Sequence, residues 1–125
     1  MTATAREIGE RYFDAWTSGD FASARGQLHD DLSFKGPIES FGSADEFIAS
    51  ISQVAAGLLD HADKKKVFED GDDVCIVYDF VTKTPIGPSL TVEWYRVRGG
   101  KIAEIRAVFD AHPFIVMREQ AAAGS

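Results

Sequence analysis

A chain of 125 residues, 45% apolar and 11% aromatic, carries enough hydrophobic side chain for one packed core at a common domain size. Its formal net charge of -7 speaks against nucleic-acid binding, because no excess of positive charge is available to displace phosphate counterions. The single cysteine, Cys75, excludes an internal disulfide and suits a reducing cytoplasm. No basic segment followed by an apolar run reads as a signal peptide, and no apolar stretch is long enough to span a bilayer, so a soluble protein is expected.

Thr4 and Glu7 have the spacing of a capping box, and Ile8, Tyr12, Ala15 and Trp16 follow on one helical face. Gly19 ends this first helix. Asp20 then caps a second, expected to run to about Leu28 with Phe21, Ala24 and Leu28 inward. Extended pieces are expected at Leu32 to Phe34 and near Ile38 to Phe41, separated by a turn at Gly36-Pro37. Ser43 and Glu46 form a second capping signal. The helix behind it turns Phe47, Ile51, Val54, Ala55 and Leu58 to one side.

From Ala62 the apolar period changes to two. A lysine-rich strand runs to Glu69 and breaks at Asp70-Gly71. Lys64, Lys65 and Lys66 read either as a binding patch or as charges that guard a sheet edge. A second strand, from Asp73 to about Thr84, puts Val74, Ile76, Tyr78 and Phe80 on one face. Pro85 to Pro88 form a loop, Leu90 to Arg98 a third strand, and Gly99-Gly100 a tight turn. Lys101 to Asp110 is the fourth strand, closed by Pro113, and Ala121 to Ser125 read as a flexible tail. Helices followed by a meander of long strands predict an α+β fold with the helices on one face of the sheet.

The order of elements carries a resemblance. Arg11-Tyr12 and Gly19-Asp20 lie in the first helical hairpin, and Val97-Arg98-Gly99-Gly100-Lys101-Ile102 precedes Ile105-Arg106-Ala107-Val108-Phe109-Asp110. Over residues 5–115 the chain resembles the nuclear transport factor 2-like superfamily, in its SnoaL-like branch with ketosteroid isomerase, polyketide cyclase and epoxide hydrolase relatives. The resemblance implies a cystatin-like cone of N-terminal helices on a curved antiparallel sheet, enclosing a pocket, often in a homodimer. It places Tyr12 where ketosteroid isomerases hold an oxyanion-stabilising tyrosine, and Glu93 at the second oxyanion donor. The aspartate that serves those isomerases as general base falls at Gly36. Of the acid-arginine-acid set of the epoxide hydrolases, one acid falls at Asp79, the arginine at Val77 and the other acid at Ala107.

The residues themselves leave alternatives. Glu93 lies among Leu90, Val92, Trp94 and Tyr95: inward it is a desolvated proton carrier, outward a solvated partner of Arg106 or Lys83. Asp79 interrupts an apolar run, and simple alternation puts it opposite the face of Tyr78 and Phe80 unless a bulge reverses it. Tyr12 and Trp16 are either core or pocket lining. His29, His61 and His112 share no ligand spacing, so neither metal nor cofactor is expected. The expected ligand is a small apolar molecule enclosed by Trp16, Phe34, Phe47, Ile51, Tyr95 and Phe109. Tyr12, Glu93 and Asp79 are its candidate acid–base groups. Trp94, alternating outward, is an expected anchor for a homodimer formed through the outer sheet face. A non-catalytic binding or dimerisation module is the alternative.

Overall fold

In the computed structural model, which describes residues 3–124, the Thr4 hydroxyl accepts the Glu7 N–H at 3.1 Å. The Glu7 carboxylate accepts the Thr4 N–H in return, at 3.4 Å. This capping box opens α1 (Ala5–Thr17), whose buried face carries Ile8, Tyr12, Phe13 and Trp16. Asp20 caps α2 (Phe21–Gly26) by accepting the Ser23 N–H at 3.1 Å. The second helix is therefore shorter than its apolar spacing predicts. The Ile102 N–H donates to the Gln27 carbonyl at 2.8 Å, so sheet pairing captures the chain and Leu28 opens a strand instead.

That strand is β1 (Leu28–Lys35), followed by the short β2 (Ser40–Phe41) and by α3 (Ala44–Leu58), which Ser43 caps through the Glu46 N–H. Four long strands come next: β3 (Leu59–Asp70), β4 (Asp73–Thr82), β5 (Pro88–Arg98) and β6 (Lys101–Val108). They and the first two form one six-stranded sheet in the order β2-β1-β6-β5-β4-β3. The sheet is mixed rather than wholly antiparallel, because β1 runs parallel to β6. Positive φ at Gly99 (57°) and Gly100 (81°) closes the β5–β6 turn, a conformation other residues adopt at a cost.

The edge strand β3 carries irregularities around Asp60 and Lys65. Two of its three lysines are engaged within the chain. Lys64 reaches Glu10 at 3.3 Å and Asp14 at 3.0 Å on α1, and Lys65 reaches Asp63 at 2.7 Å. A fourth helix, α4 (His112–Ala123), occupies the segment whose composition reads as a strand end and a tail. Pro113 suits a first helical turn, and the run of Met, Arg, Glu, Gln and Ala that follows favours continuation. Ser125 lies outside the described residues. Among the described residues no helix is long and apolar enough to cross a membrane.

The core lies between α1 and the inner face of β4, β5 and β6. Val74, Ile76 and Tyr78 from β4, Tyr95 and Val97 from β5, and Ile102 and Ile105 from β6 all bury there. Gly9 lets the helix approach: a Cβ at this position would lie 3.0 Å from the Tyr95 ring and 3.2 Å from Val74. Gly57, in the last turn of α3, faces open space instead. Gly9→Val is therefore expected to lower stability by about 1–3 kcal/mol through overpacking. Gly57→Ala should raise it by up to about 1 kcal/mol through helix propensity. Urea denaturation of the two variants checks both signs.

Candidate functional site

Not all of the apolar face of α3 enters the core. Phe47 is buried, but Val54 keeps 39% of its surface, and the stretch from Ile51 to Leu58 walls a cavity of about 270 Å³. The opposite wall is the inner face of the sheet, with Tyr78 and Phe80 from β4, Thr91 and Glu93 from β5, and Ala107 from β6. Phe34 stacks on Phe47 with ring centroids 4.5 Å apart, and Phe109 meets Phe114 edge to face at 5.5 Å. Phe114, Met117 and Arg118 bring α4 over the opening. At the rim, Glu39 accepts the Ser50 hydroxyl at 3.2 Å and pairs with Arg118 at 3.7 Å. That contact ties the β1–β2 turn to both flanking helices.

The inner end of the cavity is polar at one place. Glu93 is buried, and its two carboxylate oxygens each accept a phenol: Tyr78 donates to Oε2 and Tyr95 to Oε1, both at 2.5 Å. Tyr78 projects from the adjacent strand, where it sits opposite Thr91, and Tyr95 lies two residues along Glu93's own strand. Burial holds the Glu93 carboxyl above its ordinary range, with the two phenol donors pulling the other way. Burial, then the neighbouring Glu93 charge, push Tyr12, Tyr78 and Tyr95 well above the usual phenol range, so all three keep their protons. The Tyr12 hydroxyl and the Trp16 indole N–H are buried with no hydrogen-bond partner among the described residues.

The family described as the SnoaL-like domain matches residues 9–105. The chain belongs to this family. Its fold is that of the nuclear transport factor 2-like superfamily. Among solved structures, this SnoaL-like chain resembles a protein from Kribbella flavida DSM 17836 (25% identity over 96% of this chain and 98% of that one, TM-score 0.86). It also resembles a polyketide cyclase, so described as a presumptive assignment, from Sinorhizobium meliloti (16% identity, 81% and 93% coverage, TM-score 0.74). A third likeness is to an LEH-like epoxide hydrolase of M. tuberculosis (16% identity, 86% and 84% coverage, TM-score 0.75). At 16% identity the last two likenesses speak for the fold alone. No curated protein matches the chain.

Against this SnoaL-like frame the sequence-expected residues divide. Trp16, Phe34, Phe47, Ile51, Phe109 and Glu93 all line the cavity. Tyr95 and Tyr12 lie behind its wall, packed edge to face with ring centroids 5.3 Å apart. Asp79 is on the other side of the sheet: it is paired in register with Asp63 on β3 and lies 3.6 Å from Lys65. The irregularity near Lys65 sits in β3, so the alternation of β4 that turns Asp79 outward is uninterrupted. Gly36 and Ala107 do line the cavity. A Cβ on Gly36 would come within 3.1 Å of the Phe34 ring, so an aromatic wall fills the space that a side chain there would use.

Sequence reasoning missed the Tyr78 hydroxyl, Thr91, and the rim group of Glu39, Ser50 and Arg118. Alternation signalled Tyr78 as inward, but a phenol's polar end can be located only once its partner is. Among the described residues no three His, Cys, Asp or Glu side chains gather where they could hold a metal ion.

A folded-state carboxyl held above its ordinary value of 4.5 contributes stability fully below that value and loses it as pH rises through the raised one. Glu93→Gln removes the titration while its amide can still meet both phenols. Its melting temperature is expected to gain on that of the wild type as pH climbs from about 4.5 to about 8. Differential scanning calorimetry across that range checks the trend, and a pH-independent difference would contradict it.

Proposed function

We propose that this SnoaL-like protein binds a small, largely apolar molecule in the cavity and moves a proton on it without a cofactor, as in an isomerisation, cyclisation or dehydration. The observation that carries the reading is the buried carboxyl of Glu93 at the inner end of a largely apolar cavity. A carboxyl whose proton affinity is raised by burial matches the requirement of a general acid–base group working near neutral pH. Trp16, Phe34, Phe47, Ile51 and Phe109 form the wall that excludes water. That wall keeps the effective dielectric low and strengthens every polar contact inside. Tyr95 holds Glu93, Tyr12 packs behind Tyr95, and Asp79 takes no part. The unpaired Cys75 fits a reducing compartment such as the cytoplasm.

A panel of small cyclic ketones incubated with the protein in deuterated water tests this directly, with exchange of the protons next to the carbonyl followed by NMR. Exchange is expected for at least one member and should fall about a hundredfold or more in Glu93→Gln. Binding without exchange supports a non-catalytic ligand-binding module instead. Exchange untouched by Glu93→Gln removes the assigned role.

A second feature supports a homodimer through the outer sheet face. Phe68, Leu90, Trp94 and Val108 are 59%, 63%, 43% and 64% exposed, and lie on strands that share this face with Val77 and Val92. Charged pairs surround them: Arg96 meets Asp73 at 3.1 Å, and Asp73 also accepts the Trp94 indole N–H at 2.8 Å. An apolar centre inside a charged rim fits a second copy of the same surface. Sedimentation of the wild type at low micromolar concentration is expected to give a dimer, and the double variant Trp94→Glu, Val108→Glu a monomer. A monomeric wild type would refute this interface.

A further inference from the structure

The two ends of the cavity differ in charge. Glu93 is enclosed at the inner end, while Arg118 stands at the opening, the one cationic side chain among the described residues that line the cavity. Phe114, Met117 and Arg118 follow the i, i+3, i+4 spacing of one helical face, so α4 lays two apolar side chains and then a guanidinium along the mouth. Glu39, opposite that guanidinium, is fixed from two sides. Its Oε2 accepts the Ser50 hydroxyl at 3.2 Å, and its carbonyl accepts the Gly36 N–H at 2.9 Å. Arg118 is held more loosely: its Nη2 stands 3.7 Å from Glu39 Oε1, an ion-pair contact longer than a hydrogen bond. Arg25, Arg96 and Arg106, by contrast, each donate hydrogen bonds to carboxylates. The mouth therefore presents a planar fork of donors, of a shape that matches a carboxylate through two parallel bonds, next to an acceptor already occupied by Ser50.

We infer that Arg118 is the specificity-determining residue at the mouth, and that the ligand is an amphipathic acid with its apolar body in the cavity and its carboxylate in the Arg118 fork. This rests on the reading of the cavity as a small-molecule site and adds the polar end of the molecule it takes. The reverse orientation is unfavourable. A ligand carboxylate at the inner end would lose its water among aromatic walls and face Glu93, whose oxygens already accept Tyr78 and Tyr95. Arg118 thus directs the far end of the apolar body toward Glu93. An amine in place of the acid would have to use Glu39, whose Oε2 is engaged by Ser50 and whose Oε1 faces Arg118. The carboxylate would also steady α4. That helix buries no residue of its own and rests on the Phe114 ring contacts and the Arg118 pair, so a ligand held in the fork adds a further tie.

The test uses two probes of one shape, 2-naphthylacetate and its neutral amide, titrated calorimetrically at about pH 7.5, where the acid is ionised. Wild type is expected to bind the acid about tenfold more tightly than the amide, a charge-assisted pair discounted for its exposure. Arg118→Gln should bring that ratio to about one. Glu39→Gln, which removes the competing carboxylate, should raise it. Hydrogen exchange supplies a second readout: at saturation the acid should slow amide exchange along α4 more than the neutral probe does, and the difference should disappear in Arg118→Gln. An amide that binds wild type as tightly as the acid overturns the assignment and leaves the cavity as a site for a neutral molecule. A preference for the acid that survives Arg118→Gln overturns it too, since the anion is then held elsewhere. If neither probe binds, the cavity reading falls and the assignment falls with it.

Discussion

Burying the Glu93 carboxyl is the constraint around which the inner face of this sheet is organised. An ionised carboxylate removed from water is tolerated only where both oxygens are satisfied, and here Tyr78 and Tyr95 satisfy one each. Those contacts require β4 and β5 to hold one register, with Ile76 opposite Glu93 and Thr91 opposite Tyr78. A slip of one residue would turn Glu93 and both phenols to the other side of the sheet. The tyrosine rings in turn need a roof. α1 provides it through Tyr12, Phe13 and Trp16, with Phe13 lying 4.8 Å from the Tyr78 ring centroid. Gly9 permits the close approach on which that roof depends.

The cavity follows from what α3 does not do. Its apolar face is long enough to close on the sheet, but only Ala44 and Phe47 bury fully, and the turns beyond them stand off. Aromatic rings from β1, β2 and α3 prop the gap, with Phe34, Phe41 and Phe47 in mutual contact. α4 rests over the opening with no buried residue of its own, held by Phe114 against Phe80 and Phe109 and by Arg118 on Glu39. The SnoaL-like family supplies this architecture; the chemistry placed in it differs from chain to chain. Here Phe34 crowds Gly36 and leaves the polar character to β5 and its neighbours.

The two faces of the sheet divide the charges by environment. Asp79 and Glu93 are both acids inside apolar runs, on adjacent strands. Asp79 keeps contact with water and Lys65, whereas Glu93 is enclosed. Their opposite fates come from the two-residue period of the strands: Asp79 pairs with Leu90 in register and Glu93 with Ile76, three positions away on each strand.

Capping signals and apolar periodicity in the sequence were enough to define α1, α3 and the four long strands, because each is a local matter of side-chain spacing and backbone hydrogen bonding. Alternation also sent Tyr78 and Phe80 to one face but left Glu93 open between the two faces, and the order of elements carried the SnoaL-like likeness. The end of α2, the parallel pairing of β1 with β6, and α4 were not legible, since the first two depend on a partner strand some seventy residues away and the last begins at a proline that equally suits a strand end. The site was half legible. Its walls could be named from the apolar pattern, but that Tyr78 and not Tyr12 meets the Glu93 carboxylate was decided only in three dimensions. Spacing reports which face a side chain takes; only packing decides which polar atom meets Glu93 and which is left behind a ring.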